Sequence, residues 1–255
     1  MRRMEAAAIL PAAREATRFV LVQPSHAGNV GAAARALKVM GFAELVLVAP
    51  RHADILERPE AAAFASGARD VLAAARVVAT LDEALAGSTW VCATAMTPRD
   101  FGPPTHEPRA HLPALARTGE RVAFVFGPER TGLTNADVYR CHACLSIPTH
   151  PDYGSLNLAQ AVQLVAYEWR LALGGFAVVP RTPAARRADA AAVQGALEHW
   201  QRVLVEIGFL DPAAPRKLMP RLQQLLNRAG LSDEEVHILR GIARAVANAR
   251  RRRAQ

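Results

Sequence analysis

Long apolar runs are missing from this chain. No stretch of its 255 residues approaches the ~18 apolar residues that a membrane span requires, so a transmembrane protein is not expected. Cysteine is scarce. Cys92, Cys141 and Cys144 cannot make a disulfide framework. Cys141 and Cys144 flank His142, but no second ligand pair stands at zinc spacing, so no metal site is expected and buried free thiols are the default reading. Lysine is almost absent: Lys38 and Lys217 are the only two among 31 basic residues. A secretory leader is not expected either. Glu5, Pro11 and Arg14 interrupt the N-terminal stretch before an apolar core can form, which points to a cytoplasmic protein.

What is present is a lopsided charge. Residues 1–180 carry 17 basic and 16 acidic side chains, whereas residues 181–255 carry 14 basic and 7 acidic. A biased genome explains arginine in place of lysine but not this asymmetry. A basic segment joined to a near-neutral one implies a polyanionic partner, with nucleic acid first in line.

From residue 19 to 180, short apolar runs alternate with helical stretches. Residues 19–23, 45–48, 77–78, 90–94, 122–126 and 143–147 read as buried strands. Residues 30–40, 59–75, 81–86, 109–116, 135–140 and 156–173 read as helices. Such alternation predicts an α/β fold with a mainly parallel sheet. Gly174 and Gly175 close the last of these helices, and a stretch with Pro180, Arg181, Pro183, Arg186 and Arg187 reads as a linker. Helices are expected over 190–207, 215–229 and 232–250, the last with the capping-box spacing Ser232–Glu235 and a frayed basic tail at 250–253. The division is therefore a leader at 1–17, an α/β domain at 18–175, a linker at 176–189 and a basic helical extension at 190–255.

In an open α/β sheet, ligands bind beyond the carboxyl ends of the strands. Four segments rich in glycine, proline and small polar residues fall there: 24–35, 94–99, 127–134 and 148–157. The segment 127–134 has the glycine spacing of a phosphate-binding loop, but Leu133 stands where that loop needs lysine, which argues against a nucleotide hydrolase. The first loop is not G-x-G-x-x-G, which argues against a dinucleotide dehydrogenase. Arg35 follows a run of small residues, so its helix can approach a neighbour closely. Its guanidinium could grip a phosphate bidentately or could simply be solvated. Ser155 could cap the helix that follows it, with Asn157 in the first turn.

Taken together, these segments resemble one family. Asn29, Val30, Gly31, Ala32, Ala33, Ala34 and Arg35 are similar to the first motif of the SpoU-type RNA ribose methyltransferases. Residues 126–133 (FGPERTGL) resemble the second, and Ile147-Pro148 with 155–159 (SLNLA) the third. The segment 208–229, followed by 235–242, resembles the C-terminal extension of the TrmJ subgroup, which methylates the pyrimidine ribose at nucleotide 32 of the tRNA anticodon loop. At residues 1–18 and 250–255 no resemblance is recognised.

The resemblance implies a SPOUT fold: a C-terminal trefoil knot, forming an S-adenosylmethionine pocket, in a homodimer whose paired knots complete each other's sites. It implies catalytic roles for Arg35, Asn29, Glu129, Ser155 and Asn157. Arg35 would grip the phosphate beside the target ribose, Asn29 would hold Arg35 or the ribose, and Glu129 would orient Arg35. It also implies cofactor contacts from Thr94, Ala95, Met96, Gly127, Ile147, Gly154, Ser155 and Leu156. The expected RNA contacts are Arg35, Arg181, Arg186, Arg187, Arg216, Lys217, Arg221 and Arg228, with tRNA as partner and no metal. Two other readings stay open: the same chemistry on another RNA such as rRNA, and a non-catalytic RNA-binding protein of this fold.

Overall fold

The computed structural model describes residues 16–96, 99–179, 181 and 185–253. The chain forms two compact units, Met1–Ala177 and Val178–Gln255.

The first unit is built on a parallel sheet of seven strands: β1 Thr17–Val22, β2 Glu44–Val48, β3 Arg76–Val78, β4 Trp90–Thr94, β5 Thr105–His106, β6 Val122–Phe126 and β7 Ala143–Leu145. Their order is β3-β2-β1-β6-β4-β7-β5. The two-residue pleat divides each central strand between two cores. Phe19, Leu21, Leu45, Leu47, Phe124 and Phe126 face one side with Val162, Val165 and Trp169. Val20, Val22, Val46, Val48, Ala123 and Val125 face the other with Leu81, Leu133 and Val138. Burial on both faces explains why these strands read as continuous apolar runs.

Six strands are expected from the sequence; the seventh, Thr105–His106, pairs with Cys144 and Leu145. Two residues following Pro103 and Pro104 carry no periodic signal, so only pairing reveals the strand. The helix expected over 59–75 is broken. It runs as α2 Pro59–Ala65, a 3-10 turn Ser66–Ala68 and α3 Arg69–Ala73, with Ser66 in the left-handed region at φ 50°. The other helices of this unit are α1 Ala27–Val39, α4 Leu81–Leu85, α5 Pro108–Leu115, α6 Asn135–Val138 and α7 Leu158–Ala172.

The small residues of α1 serve close packing. A Cβ at Gly31 would run into the Ala61 carbonyl of α2. The carboxyl end of α1 is held by a buried arginine: Arg170 Nε donates to the Met40 carbonyl at 2.6 Å, and the guanidinium lies between the rings of Phe42 and Phe176.

The second unit contains α8 Ala190–Glu206, α9 Leu218–Ala229 and α10 Asp233–Arg253. Asp189 caps α8 through the Ala192 amide. The capping box at Ser232 forms, with the Ser232 and Glu235 amides each bonded to the other's side chain. Gly230, at φ 63°, ends α9. The core is aliphatic: Val203, Ala243 and Ala247 form a cluster with Trp200, Ile207 and Val246 packed against it, and Ala196, Leu197, Leu204, Leu210, Leu226 and Val236 are also buried. Contrary to the frayed tail expected, α10 continues through Arg253. Arg251 pairs with Glu206 at 2.9 Å and Arg250 donates to the Ile207 carbonyl, so the basic run has local anchors.

Candidate active site

A cavity of about 410 Å3 opens at the carboxyl ends of β4, β6 and β7. Thr94, Ala95 and Met96 line it from the end of β4 and the loop that follows, and Gly127 to Leu133 from the loop after β6. Leu145 contributes from the end of β7 and Ile147 from just beyond it, and Gly154, Ser155 and Leu156 from the loop before α7. All eight positions expected to contact a cofactor are therefore lining residues. Gly127 is needed because the loop folds back on itself, and a Cβ there would meet the backbone of Gly132 and Leu133. The Thr94 hydroxyl donates to the Val125 carbonyl, so it holds the two strands together at the cavity floor.

Three loops are tied together by side chains beside this cavity. Glu129 accepts from Asn29 Nδ2 at 2.9 Å, from the Ser25 hydroxyl at 2.8 Å and from the Ser25 and His26 amides. Helix α1 has no side-chain cap of its own and no acidic residue in its first turn. The Glu129 carboxylate supplies both the missing acceptor and the negative charge that a helix N-terminus favours. Asn157 Nδ2 in turn donates to Asn29 Oδ1 at 2.9 Å. The chain Glu129–Asn29–Asn157 thus links the second, first and third motifs.

Burial alone would raise the Glu129 carboxyl. Hydrogen bonds from Asn29, from its own backbone amide and from Ser25 outweigh that effect and hold it at about 2. The carboxylate is therefore a fixed negative anchor and not a proton carrier at neutral pH. The thiols are equally unsuited to chemistry. Burial pushes Cys92 and Cys141 up to about 12 and raises Cys144. Among the described residues no group of three or more His, Cys, Asp or Glu side chains is placed to hold a metal.

Several expectations are corrected here. Within one chain, neither Glu129 nor Asn29 bonds Arg35. Both polar ends of the Asn29 amide are engaged by Glu129 and Asn157. Arg35 is exposed, makes no hydrogen bond among the described residues and is not a cavity-lining residue. Six residues on from Asn29, it has turned to another face of α1. The cap of α7 is Asn157, whose Oδ1 accepts from the Ala159 and Gln160 amides, and not Ser155, which is exposed and lines the cavity. In α7, Leu158, Val162, Val165, Ala166 and Trp169 are buried in the unit's own core, leaving Leu164, Tyr167 and Leu171 as the exposed apolar positions.

Arg99 is a lining residue that the sequence did not single out. Its Nε is buried without a hydrogen-bond partner among the described residues, although its Nη2 reaches toward the Leu133 carbonyl at 3.4 Å. Its position at the end of the loop after the fourth strand was the available signal. Ser25 was not singled out either, because a serine just past a strand has many possible partners.

In the second unit, Arg181, Arg186, Arg187, Arg216, Lys217, Arg221 and Arg228 are all exposed. Of these, only Arg186 has a carboxylate within ion-pair distance among the described residues, Asp233 at 3.6 Å. Arg187 lies against Gly230, where a Cβ would come within 2.9 Å of its guanidinium.

Residues 16–167 match the SpoU rRNA Methylase family model, and residues 191–255 match the model of the tRNA methyltransferase TrmJ C-terminal domain. The chain belongs to the SpoU methylase family, in its TrmJ group. It is similar over 238 residues, at 44% identity, to the tRNA (cytidine/uridine/adenosine-2′-O-)-methyltransferase TrmJ of Pseudomonas aeruginosa, covering 88% of this chain and 91% of that one. It is 41% identical over 242 residues to the tRNA (cytidine/uridine-2′-O-)-methyltransferase TrmJ of Photorhabdus laumondii, covering 91% and 97%. The solved structure of TrmJ from Z. mobilis superposes with a TM-score of 0.77 at 33% identity, covering 91% of this chain and 99% of that one. This SpoU-family member is therefore a methyltransferase by kinship as well as by motif.

Proposed function

We propose that the protein transfers a methyl group from S-adenosylmethionine to the ribose 2′-hydroxyl of a pyrimidine at nucleotide 32 of the tRNA anticodon loop. The observation that carries this reading is the cavity at the sheet's carboxyl edge, fastened to the Glu129–Asn29–Asn157 chain. The tRNA substrate and the 2′-oxygen are what the TrmJ relatives are named for, and the position rests on the resemblance of 208–229 to their extension. An rRNA substrate is disfavoured by the match of 191–255 to a tRNA methyltransferase domain. A non-catalytic role is disfavoured by the intact hydrogen-bonded chain. We retain 18–175 as the methyltransferase domain and 190–255 as its helical extension, working in the cytoplasm.

The cavity suits the cofactor. Its volume lies within the range of small-molecule sites, and it combines apolar walls from Leu145, Ile147 and Leu156 with loop backbone. The buried, unpartnered Arg99 Nε is a donor that a polar ligand would satisfy. When bound, S-adenosylmethionine supplies an electrophilic methyl group on a sulfonium. Thr94, Ala95, Met96, Gly127, Ile147, Gly154, Ser155 and Leu156 would hold it, largely through backbone groups.

The remaining work belongs to the chain. Asn29 and Asn157, each locked by a partner, fix the floor against which the ribose is aligned, and alignment is the main source of rate in an in-line transfer. A guanidinium is a poor base, so Arg35 grips the phosphate beside the target ribose. The 2′-hydroxyl proton then leaves to a phosphate oxygen or to water. Because Arg35 does not line its own cavity, it would serve the cavity of a second copy, which fits the homodimer implied by the family. The exposed Leu164, Tyr167 and Leu171 supply an apolar surface for that pairing. The sheet order also suits a trefoil knot, since the chain leaves β6, passes β4 and places β7 between β4 and β5 before entering α7.

The test is nucleoside mass spectrometry of tRNA incubated with the protein and S-adenosylmethionine. A 2′-O-methylated pyrimidine at position 32 is expected. Methylation confined to rRNA, or none, overturns the proposal. Adenosine at that position is the informative third substrate, because one relative carries it in its name.

A further inference from the structure

The loop after β4 does two opposite things within three residues. Arg99 turns inward and lines the cavity, whereas Phe101 is fully exposed. Between them the backbone makes a tight turn, closed by the Gly102 amide donating to the Arg99 carbonyl at 3.0 Å. Phe101 occupies the third position of that turn with φ 58°. Turns needing positive φ there favour glycine or asparagine, and a bulky residue with a β-carbon is strained in the left-handed region. The turn is nevertheless fastened, because the Tyr139 hydroxyl donates to the Asp100 carbonyl at 2.8 Å. A strained backbone thus holds a large aromatic ring in water, two residues from the cavity-lining Arg99. Burial does not explain the ring and local backbone preference opposes it. Strain held by surrounding structure next to a site is the signature of a functional constraint.

The loop before α7 has a similar character. Tyr153 is exposed and adjoins the lining residue Gly154, whose added Cβ would come within 2.6 Å of Met96 Sδ. The two loops therefore touch, and each carries an exposed aromatic ring within two residues of a lining residue.

We propose that Phe101 is a stacking platform for an unpaired nucleobase of the RNA substrate, flanking the ribose that is methylated. The proposal rests on the methyltransferase reading above and extends it to the way the RNA is seated. The chemistry of the occupant follows from the site. Single-stranded loops expose base faces that stack on aromatic side chains, whereas a paired helix does not. A rigid ring beside the cavity contributes without any hydrogen-bond readout, so it would hold the loop in place and leave base identity to other groups.

The experiment uses the full-length protein with Phe101→Ala, Phe101→Tyr and Phe101→Gly. RNA affinity is measured by filter binding to tRNA and to a single-stranded oligonucleotide, alongside methyl transfer, cofactor binding and sedimentation. Without the stacked ring, RNA binding should weaken roughly 5- to 100-fold in Phe101→Ala, while Phe101→Tyr stays within about twofold of wild type. Phe101→Gly should bind RNA as poorly as Phe101→Ala yet melt no lower than wild type, because glycine relieves the left-handed strain. Cofactor affinity and sedimentation should not change in any variant. Wild-type RNA affinity in Phe101→Ala, or RNA binding in Phe101→Tyr as weak as in Phe101→Ala, overturns the proposal. So does a shift in sedimentation, which would assign the ring to a contact between two copies. The two failures separate: a wild-type protein that methylates no RNA sinks the parent reading, whereas an alanine variant with undiminished RNA affinity sinks only the platform.

Discussion

The two units of this chain spend their residues differently. In the first, the central strands bury every side chain of β6 and nearly all of β1, and five aromatic rings, Phe19, Phe42, Phe124, Phe126 and Trp169, pack in one layer. In the second, no aromatic ring is buried among the described residues, the buried apolar side chains are aliphatic, and Arg181, Arg186, Arg187, Arg216, Arg221 and Arg228 are exposed. The contrast separates two physical tasks. Aligning a methyl group with a hydroxyl requires a rigid frame, which deep packing provides. Attracting a polyanion requires charge at the surface, which needs little core.

The largest expected effect breaks the chemical side of this division. Arg35→Ala should lower methyl transfer by at least about 100-fold while leaving S-adenosylmethionine affinity within about twofold, because its guanidinium acts on the RNA side. Arg35→Lys should rescue poorly, since a point charge does not copy a bidentate fork. Single-turnover kinetics with calorimetry decide, and substantial transfer by Arg35→Ala rules out the role.

Truncation after Arg187 probes the charged side. It should weaken tRNA binding and flatten its salt dependence together, by roughly 0.7–0.9 in log–log slope for each phosphate no longer neutralised. Filter binding across a salt series measures both. An unchanged slope would leave the helices of the second unit as packing and place tRNA recognition in the first.

Core substitutions sharpen the comparison of frames. Phe124→Ala should cost about 3–5 kcal/mol, because a fully buried ring leaves a cavity. Val203→Ala removes two methyl-sized groups from an aliphatic core and should cost about 1–2 kcal/mol. Denaturant unfolding read separately from each unit tests this, and equal costs would remove the distinction.

The smallest effect concerns pH. Glu129 is held at about 2, against an ordinary 4.5. A depressed carboxyl contributes stability that is fully present above about pH 4.5 and fades as pH falls toward 2. Glu129→Gln should remove this part of the acid-induced destabilisation and loosen α1, detected as faster amide exchange at Ser25 and His26. An identical acid profile in the variant would mean that the anchor stabilises nothing.

The alternation of strands and helices, the four loops at the sheet's carboxyl edge and the charge asymmetry are all legible in the amino-acid order. Each is a local property, set by side-chain periodicity, turn residues and a count of charges. The tertiary structure alone decided which groups meet. Glu129 reaches Asn29 across 100 positions, and Asn157 reaches Asn29 across 128. No spacing rule predicts such partners, so the motifs marked the right residues while their pairing came from the fold. The strand Thr105–His106 exists only through its ladder to β7, and the inward turn of Arg99 depends on loops from distant segments. Helix α7 makes the same point. Its apolar periodicity was legible, but whether that face met its own sheet or a second copy depended on what the rest of the chain placed beside it, and the sheet claimed it.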